Sequence, residues 1–260
     1  MTNDEMKLNT PQPLKIVEIR QENATNKTFV LDGALDAQPG QFVMAWLPGW
    51  PDKPFSLAHA NPLSLTIAAV GPLSQTLHGL AVGDSIWLRG PLGHGYRLTG
   101  QPGDHLLLIG GGYGVAPLRY LAEVALARGY RVSVIVGARR AQDLLLVAAF
   151  ESLGVATWVT TEDGSAGLKG LVTDAIAPAL AGSAGRPALI CTCGPTGMLR
   201  AVAAVGAAEN IPVQVSWEAH MRCGIGLCGS CEVGAGWLTC LDGPVFPFDP
   251  EQVAPAASVI

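Results

Sequence analysis

Four cysteines near the end of the chain have a spacing that carries chemistry. Cys223, Cys228 and Cys231 stand as C-x4-C-x2-C in MRCGIGLCGSC, and Cys240 follows after eight intervening residues. The 4-then-2 spacing is the plant-type [2Fe–2S] pattern, in which four thiolates complete two tetrahedral iron sites. Structural zinc is the rival reading, but zinc sites usually join two short C-x2-C knuckles. Here three thiols come from one loop and the fourth stands apart. Four unrelated buried thiols are the third reading. Gly224, Gly226 and Gly229 let the loop curl and turn backbone N–H groups toward sulfur.

A second chemical signal is HLLLIGGGYGVAP, residues 105–117, an apolar strand that runs into glycines and then a helix. Without Cβ atoms, Gly110, Gly111, Gly112 and Gly114 let a pyrophosphate approach the amides of a helix N-terminus. The match to G-x-G-x-x-G is imperfect, since Pro117 falls where the third glycine would be, and a plain strand-to-helix turn is the alternative. ALICTCGPTGML repeats the theme with Cys193, Gly194 and Pro195 at a second strand-to-helix edge. Cys193 there reads either as a contact for a bound ring or as a buried small apolar residue, and Cys191 as the latter.

Two stretches nearer the N-terminus suit a flavin. In PDKPFSLA, Lys53 offers a cation for phosphate, Phe55 a ring for stacking and Ser56 a hydroxyl for a ring nitrogen, unless the segment is an ordinary edge strand. VGPLSQTL reads as a loop presenting Gly71, Ser74, Gln75 and Thr76 to a second phosphate, or else as a solvated turn.

The elements that must position these groups fall into two rhythms. Up to about residue 99, short β-rich runs alternate with Pro, Gly and Asp, the pattern of an antiparallel barrel or sandwich. From residue 105, apolar strands alternate with helical stretches (116–129, 142–154, 173–180 and 197–210), predicting a parallel sheet covered on both faces. The fold class expected is therefore multidomain β and α/β, with boundaries at 1–100, 101–212 and 213–260. The length of 260 residues and 49% apolar content allow that many cores. Sixteen Lys plus Arg against 21 Asp plus Glu, a net charge of −5, offer no basic face to nucleic acid. No apolar run reaches the ~20 residues of a membrane span, and the N-terminus has no apolar leader core. A cytoplasmic protein is expected, where six cysteines point to metal or redox chemistry rather than disulfides.

Taken in order, KPFS, VGPLSQTL, GGGYGVAP, TEDGSAGLKG, CGPTGML and VSWEAHMRCGIGLCGSC with CLDGPVF resemble, over nearly the whole chain, the electron-transfer subunits of dihydroorotate dehydrogenase B, within the ferredoxin-reductase superfamily. The resemblance implies a six-stranded antiparallel FAD-binding barrel, a parallel-sheet NAD-binding domain and a small C-terminal [2Fe–2S] module. It implies flavin contacts at Lys53, Pro54, Phe55, Ser56, Ile67, Gly71, Ser74, Gln75 and Thr76, and dinucleotide contacts at Gly111, Gly112, Gly114, Cys193, Gly194 and Pro195. Cluster ligation falls to Cys223, Cys228, Cys231 and Cys240. Lys53 stands where the family usually has arginine, Leu73 replaces the second glycine of a G-x-G-T loop, and the interval before Cys240 is short for the family.

The implied activity is an electron relay. A partner subunit holding FMN oxidises dihydroorotate, and electrons pass through the cluster and FAD to NAD⁺ in a heterotetramer. No side chain need act as acid or base, so no catalytic residue is nominated. Glu162 and Asp163 read as a solvated loop that the resemblance moves toward the dinucleotide. Arg139 and Arg140 could meet a 2′-phosphate, but the family is NAD-linked and they read as surface residues. The rivals are a small diaphorase subunit of a ferredoxin:NAD(P) oxidoreductase, sulfide dehydrogenase or hydrogenase, and, in another class, a redox-sensing or zinc-stabilised regulatory module.

Overall fold

The computed structural model describes residues 8–182 and 185–248; the APAAS tail, read from sequence as a frayed end, lies outside them. The first half is one antiparallel sheet of strands β1 (Leu8–Gln21), β2 (Asn26–Leu31), β3 (Phe42–Trp46), β4 (Lys53–Ser56), β5 (His59–Ala60), β6 (Leu63–Ala68) and β7 (Ser85–Leu92). Their order is β4-β3-β7-β1-β2-β6-β5. The long β1 pairs with both β7 and β2 and shifts register in each ladder, between Leu8 and Gln12 and between Ile16 and Glu18. Such irregularities bend a strand and curl the sheet around its core. Phe29, Leu65, Ile67, Leu77, Ile86 and Leu88 fill that core and are fully buried.

VGPLSQTL is not the open loop expected. It forms helix α1 (Pro72–His78), with Gly71 extended at the N-cap and proline in the first turn, where its missing N–H costs nothing. The Ser74 hydroxyl accepts from the N–H groups of Val70 and Gly71 at 3.1 and 2.9 Å. That satisfies backbone donors around the helix start.

The second half is the expected sheet of β8 (His105–Gly111), β9 (Arg131–Ala138), β10 (Ala156–Thr161), β11 (Leu168–Lys169), β12 (Leu189–Cys193), β13 (Val213–Ser216) and β14 (Val245–Pro247). The order is β11-β10-β9-β8-β12-β13-β14, parallel except for β14. Alternation along β8 sends Leu106 and Leu108 to one face and Leu107 and Ile109 to the other. Helices α2 (Ala116–Ala127) and α3 (Val147–Ser152) pack on the first face. Helices α4 (Ile176–Ala181) and α5 (Thr196–Ala208) pack on the second. The cysteine-bearing segment is the connection between β13 and β14, so both its ends are strands of this sheet.

Residues 142–154 do not make one helix. A short 3-10 turn ends at Asp143, Leu146 takes φ +58°, and α3 begins only at Val147. The Asn23 side-chain amide, from the turn after β1, donates to the carbonyls of Asp143 and Leu144 at 3.3 Å each. This ties to the barrel the carbonyls that a continuing helix would have used.

The halves are also joined where Tyr120 Oη donates to the Ala37 carbonyl at 2.6 Å. Beside it Glu123 receives His59 Nε2 and Arg119, both at 2.8 Å. Burial pushes the Glu123 carboxyl up, but His59 and Arg119 outweigh it and hold the carboxyl below its ordinary value of 4.5. A depressed carboxyl contributes stability above its unfolded pKa and loses it as pH falls through the folded one. Glu123→Gln is therefore expected to melt below wild type at pH 7, with the gap closing as pH drops below about 4.5 in thermal scans.

Candidate functional site

The glycines after β8 have separate jobs. Gly110 packs where a Cβ would strike Val115 and Leu118, and Gly114 where a Cβ would come within 2.5 Å of the Cys193 carbonyl oxygen. These two let the β8 turn lie against the end of β12. Gly112, at φ +55°, meets nothing within 4 Å and faces open space. It lines a cavity of about 650 Å³ together with Gly111, Pro195 and Met198, at the carboxyl ends of β8 and β12. Ligands of open α/β sheets bind at that edge.

The far end of the cleft is walled by Arg139, Arg140 and Glu162, and the barrel supplies Thr25 and Asn26. Both arginines thus face the cleft rather than open solvent alone, and Arg140 Nε also reaches Asp143 at 3.3 Å. Asp163 works inside its own loop: its Oδ1 accepts from the Ser165 hydroxyl at 2.6 Å, and that hydroxyl in turn accepts from the Ala141 N–H at 2.8 Å.

A second cavity, of about 240 Å³, lies where three segments meet: Pro54, Phe55 and Ser56 of β4, Gly114 and Cys193 from the β8 and β12 turns, and residues 216–219 with Met221 leading out of β13. Tyr113, Ala68 and Val70 line both cavities, so the two spaces share a wall. A ring bound in one and a dinucleotide in the other would meet across Tyr113.

The sequence reading missed the polar groups that these folds bring together. Glu218 lines the smaller cavity with part of its surface in solvent; partial desolvation raises its carboxyl pKa, while Tyr113 Oη, donating to Oε2 at 3.1 Å, partly offsets this. Burial and the nearby carboxylate push the Tyr113 phenol up to about 12. Cys193 is fully enclosed, and burial with Glu218 holds its thiol at about 12, so it stays neutral. Glu218 and Tyr113 are 105 residues apart, and no local pattern in SWEAH marks the glutamate.

In the cysteine loop, Cys231 Sγ lies 3.3 Å from Cys240 Sγ. Cys223 and Cys228 form the other neighbouring pair, and hydrogen bonds from Ser230 and then Cys223 bring the exposed Cys228 thiol down to about 6, toward the thiolate a metal needs. The N–H groups of Gly226 and Leu227 donate to Cys240 Sγ at 3.1 Å and Cys223 Sγ at 3.3 Å. Among the described residues no three Cys, His, Asp or Glu side chains converge on a single ion position. Two adjoining thiol pairs wrapped by sulfur-directed amides fit two irons better than one zinc, which would draw four ligands to one point. Cys231 and Cys240 share a small core with Phe42, Met44 and Met221. Phe42 and Met221 also line the smaller cavity, so packed side chains connect the thiols to it.

Several residues expected as contacts lie outside the two cavity linings. Ile67 faces the barrel core, its carbonyl within 2.8 Å of His78 Nε2, while its neighbours Thr66 and Ala68 face the cavity. Lys53 is half-buried on β4 just outside the cavity lining, and Gly194 spans the close approach of the two glycine turns. Ser74 caps α1, the Thr76 hydroxyl donates to the Pro72 carbonyl at 3.0 Å, and Gln75 lies on the same helix. His59 and His105 serve structural contacts, His105 buried between Gly185 and Ser133.

An antiparallel barrel, an α/β sheet with a glycine-edged cleft, and a four-thiol loop around one shared cavity define a flavin- and nicotinamide-dependent oxidoreductase of the ferredoxin-reductase fold with an iron–sulfur module. Residues 108–204 match the oxidoreductase NAD-binding domain, and residues 218–250 match the iron–sulfur cluster binding domain of dihydroorotate dehydrogenase B. A probable electron transfer subunit of dihydroorotate dehydrogenase B (NAD(+)) from Methanocaldococcus jannaschii is 41% identical over 91% of this chain and 89% of its own. One from Methanothermobacter thermautotrophicus is 37% identical over 92% and 90%. A solved structure of NADH-dependent reduced ferredoxin-NADP oxidoreductase superposes with a TM-score of 0.82 at 28% identity, covering 96% of this chain and 91% of that one. The chain belongs to the family of dihydroorotate dehydrogenase B electron transfer subunits.

Gly114→Ala tests the close approach of the two turns. The added methyl must push apart two backbones, so a loss of roughly 1–3 kcal/mol in denaturant unfolding is expected. A weaker hold on NADH should accompany it, measured by titration.

Proposed function

We propose that this chain is the relay half of a dihydroorotate-oxidising enzyme, accepting electrons from an FMN-holding catalytic subunit and delivering them to NAD⁺ for pyrimidine biosynthesis. The assembly would be a cytoplasmic heterotetramer. Among the described residues no helix is long and apolar enough to cross a membrane. On this reading the working modules divide near residues 100 and 212, the β13–β14 connection bearing the cluster.

When bound, the cluster supplies one-electron exchange, the flavin couples single electrons to pairs, and the nicotinamide takes a hydride. The chain's own residues do the rest. Cys223 with Cys228, and Cys231 with Cys240, would hold the two irons. Phe55 would pack against the flavin ring, Ser56 would hydrogen-bond to it, and Lys53 and the α1 start near Gly71 would meet its phosphates. Gly111, Gly112 and Pro195 would receive the nicotinamide dinucleotide, with Glu162 and the Arg139–Arg140 pair at its far end. Phe42 and Met221 exclude water between thiols and cavity. Glu218, held by the Tyr113 hydroxyl, would present a carboxyl group at the cavity wall beside the bound ring.

The observation that carries this reading is the shared cavity: flavin-motif residues, the dinucleotide turns and the segment leading into the cysteine loop all line it. The deciding experiment is to co-purify the chain from its native cell and assay orotate formation with NAD⁺. A bound FMN protein and NAD⁺-dependent orotate production are expected. A partner without FMN, or no orotate, would replace this assignment by the diaphorase reading, which the 28% identical oxidoreductase structure favours next.

Two variants probe the chain alone. Cys231→Ser should purify with at most half the iron of wild type by metal analysis, while flavin is retained. Glu218→Gln should bind flavin and NADH normally yet slow NADH-driven reduction of an artificial acceptor by about tenfold, the scale of one lost hydrogen bond to a charged group.

A further inference from the structure

The cysteine loop is held to the barrel by a cation that no motif assigns. Arg89 lies on β7, opposite Met44 of β3 in the ladder. Its Nη2 donates to the carbonyl of Cys223 at 2.9 Å and to Asp52 Oδ2 at 3.3 Å. Only 16% of the Arg89 side-chain surface is exposed, so both contacts form largely out of water. Alongside, Gly224 takes φ +67°, and a Cβ there would come within 3.1 Å of the Met44 side chain. The backbone of the first cysteine therefore rests directly on β3 and β7. Asp52 precedes Lys53 and Pro54 of the flavin motif, so one guanidinium joins the edge of the flavin wall to the start of the cysteine loop.

Resting on the cluster reading above, we propose that Arg89 is a positioning residue for the cluster loop and also sets its reduction potential, with Asp52 attenuating its charge. Four thiolates make a two-iron cluster anionic, and adding one electron makes it more so. A desolvated cation at the carbonyl of a ligand favours the reduced form, and a carboxylate on that cation opposes it. The two residues should therefore pull in opposite directions.

The test is a dye-equilibrated redox titration of the full-length chain, followed by the electron-spin signal of the reduced cluster, in Arg89→Met, Arg89→Lys and Asp52→Asn. Arg89→Met is expected to disfavour reduction by roughly tenfold, ~59 mV for one electron. Asp52→Asn should favour it by a few-fold. Arg89→Lys keeps the charge and loses the forked geometry, so its potential should lie between wild type and Arg89→Met. A purely structural role would move iron content without this opposed pair of shifts. If Arg89→Met does not load, the opposite signs for Asp52→Asn and Arg89→Lys decide. Loaded variants with unmoved potentials, or shifts of one sign for Arg89 and Asp52 variants alike, would overturn the inference alone. Wild-type protein lacking two irons and two sulfides per chain would overturn the cluster reading and this inference with it.

Discussion

The pairing of β13 with β14 is the constraint on which the functional architecture depends. Ser216 pairs with Val245, and the Trp217 N–H donates to the Pro244 carbonyl at 2.7 Å. The whole connection 217–244 thus leaves and returns through neighbouring strands at one edge of the sheet. Its exit, residues 217–219 with Met221, becomes a wall of the smaller cavity. The cysteine loop is consequently a closed excursion from the α/β sheet, and its distance from the cavity is set by strand hydrogen bonds.

Much of this was legible in the sequence where chemistry and local pattern coincide. HLLLIGG, RVSVIVGA and PALICTCG read as buried parallel strands because both faces of such strands are apolar. The cysteine spacing pointed to two irons because ligand geometry constrains neighbours in the chain. Legibility failed where tertiary contacts override local preference. The apolar run 142–154 has helical character, yet Asn23 of the barrel captures two of its carbonyls and delays α3 to Val147. Glu218 with Tyr113, and Arg89 with Cys223, depend on segments brought together from 105 and 134 residues apart. Their residue types are ordinary at the surface, so only the fold gives them a role.

The glycines show how a motif can be recognised for an incomplete reason. GGGYG suggested four backbone positions open to a phosphate. Gly110 and Gly114 also permit protein to approach protein, Gly114 at the edge of the smaller cavity, and Gly112 faces empty space. Gly110 and Gly114 both serve the junction of β8 and β12 that brings Cys193 to the cavity.

The two kinds of electron traffic are kept apart by which side chains share which space. Tyr113, Ala68 and Val70 belong to both cavities, whereas Phe42 and Met221 border the smaller cavity and the cysteine core. No residue of the cysteine loop lines the dinucleotide cleft. A group in the cleft can therefore contact the contents of the smaller cavity, and the thiols can communicate with that cavity through packed side chains. Direct contact between thiols and dinucleotide has no such path. Placing the flavin motif between them makes the coupling of one-electron to two-electron chemistry a consequence of the packing, with Tyr113, bonded to Glu218 of the smaller cavity, on the wall where both spaces meet.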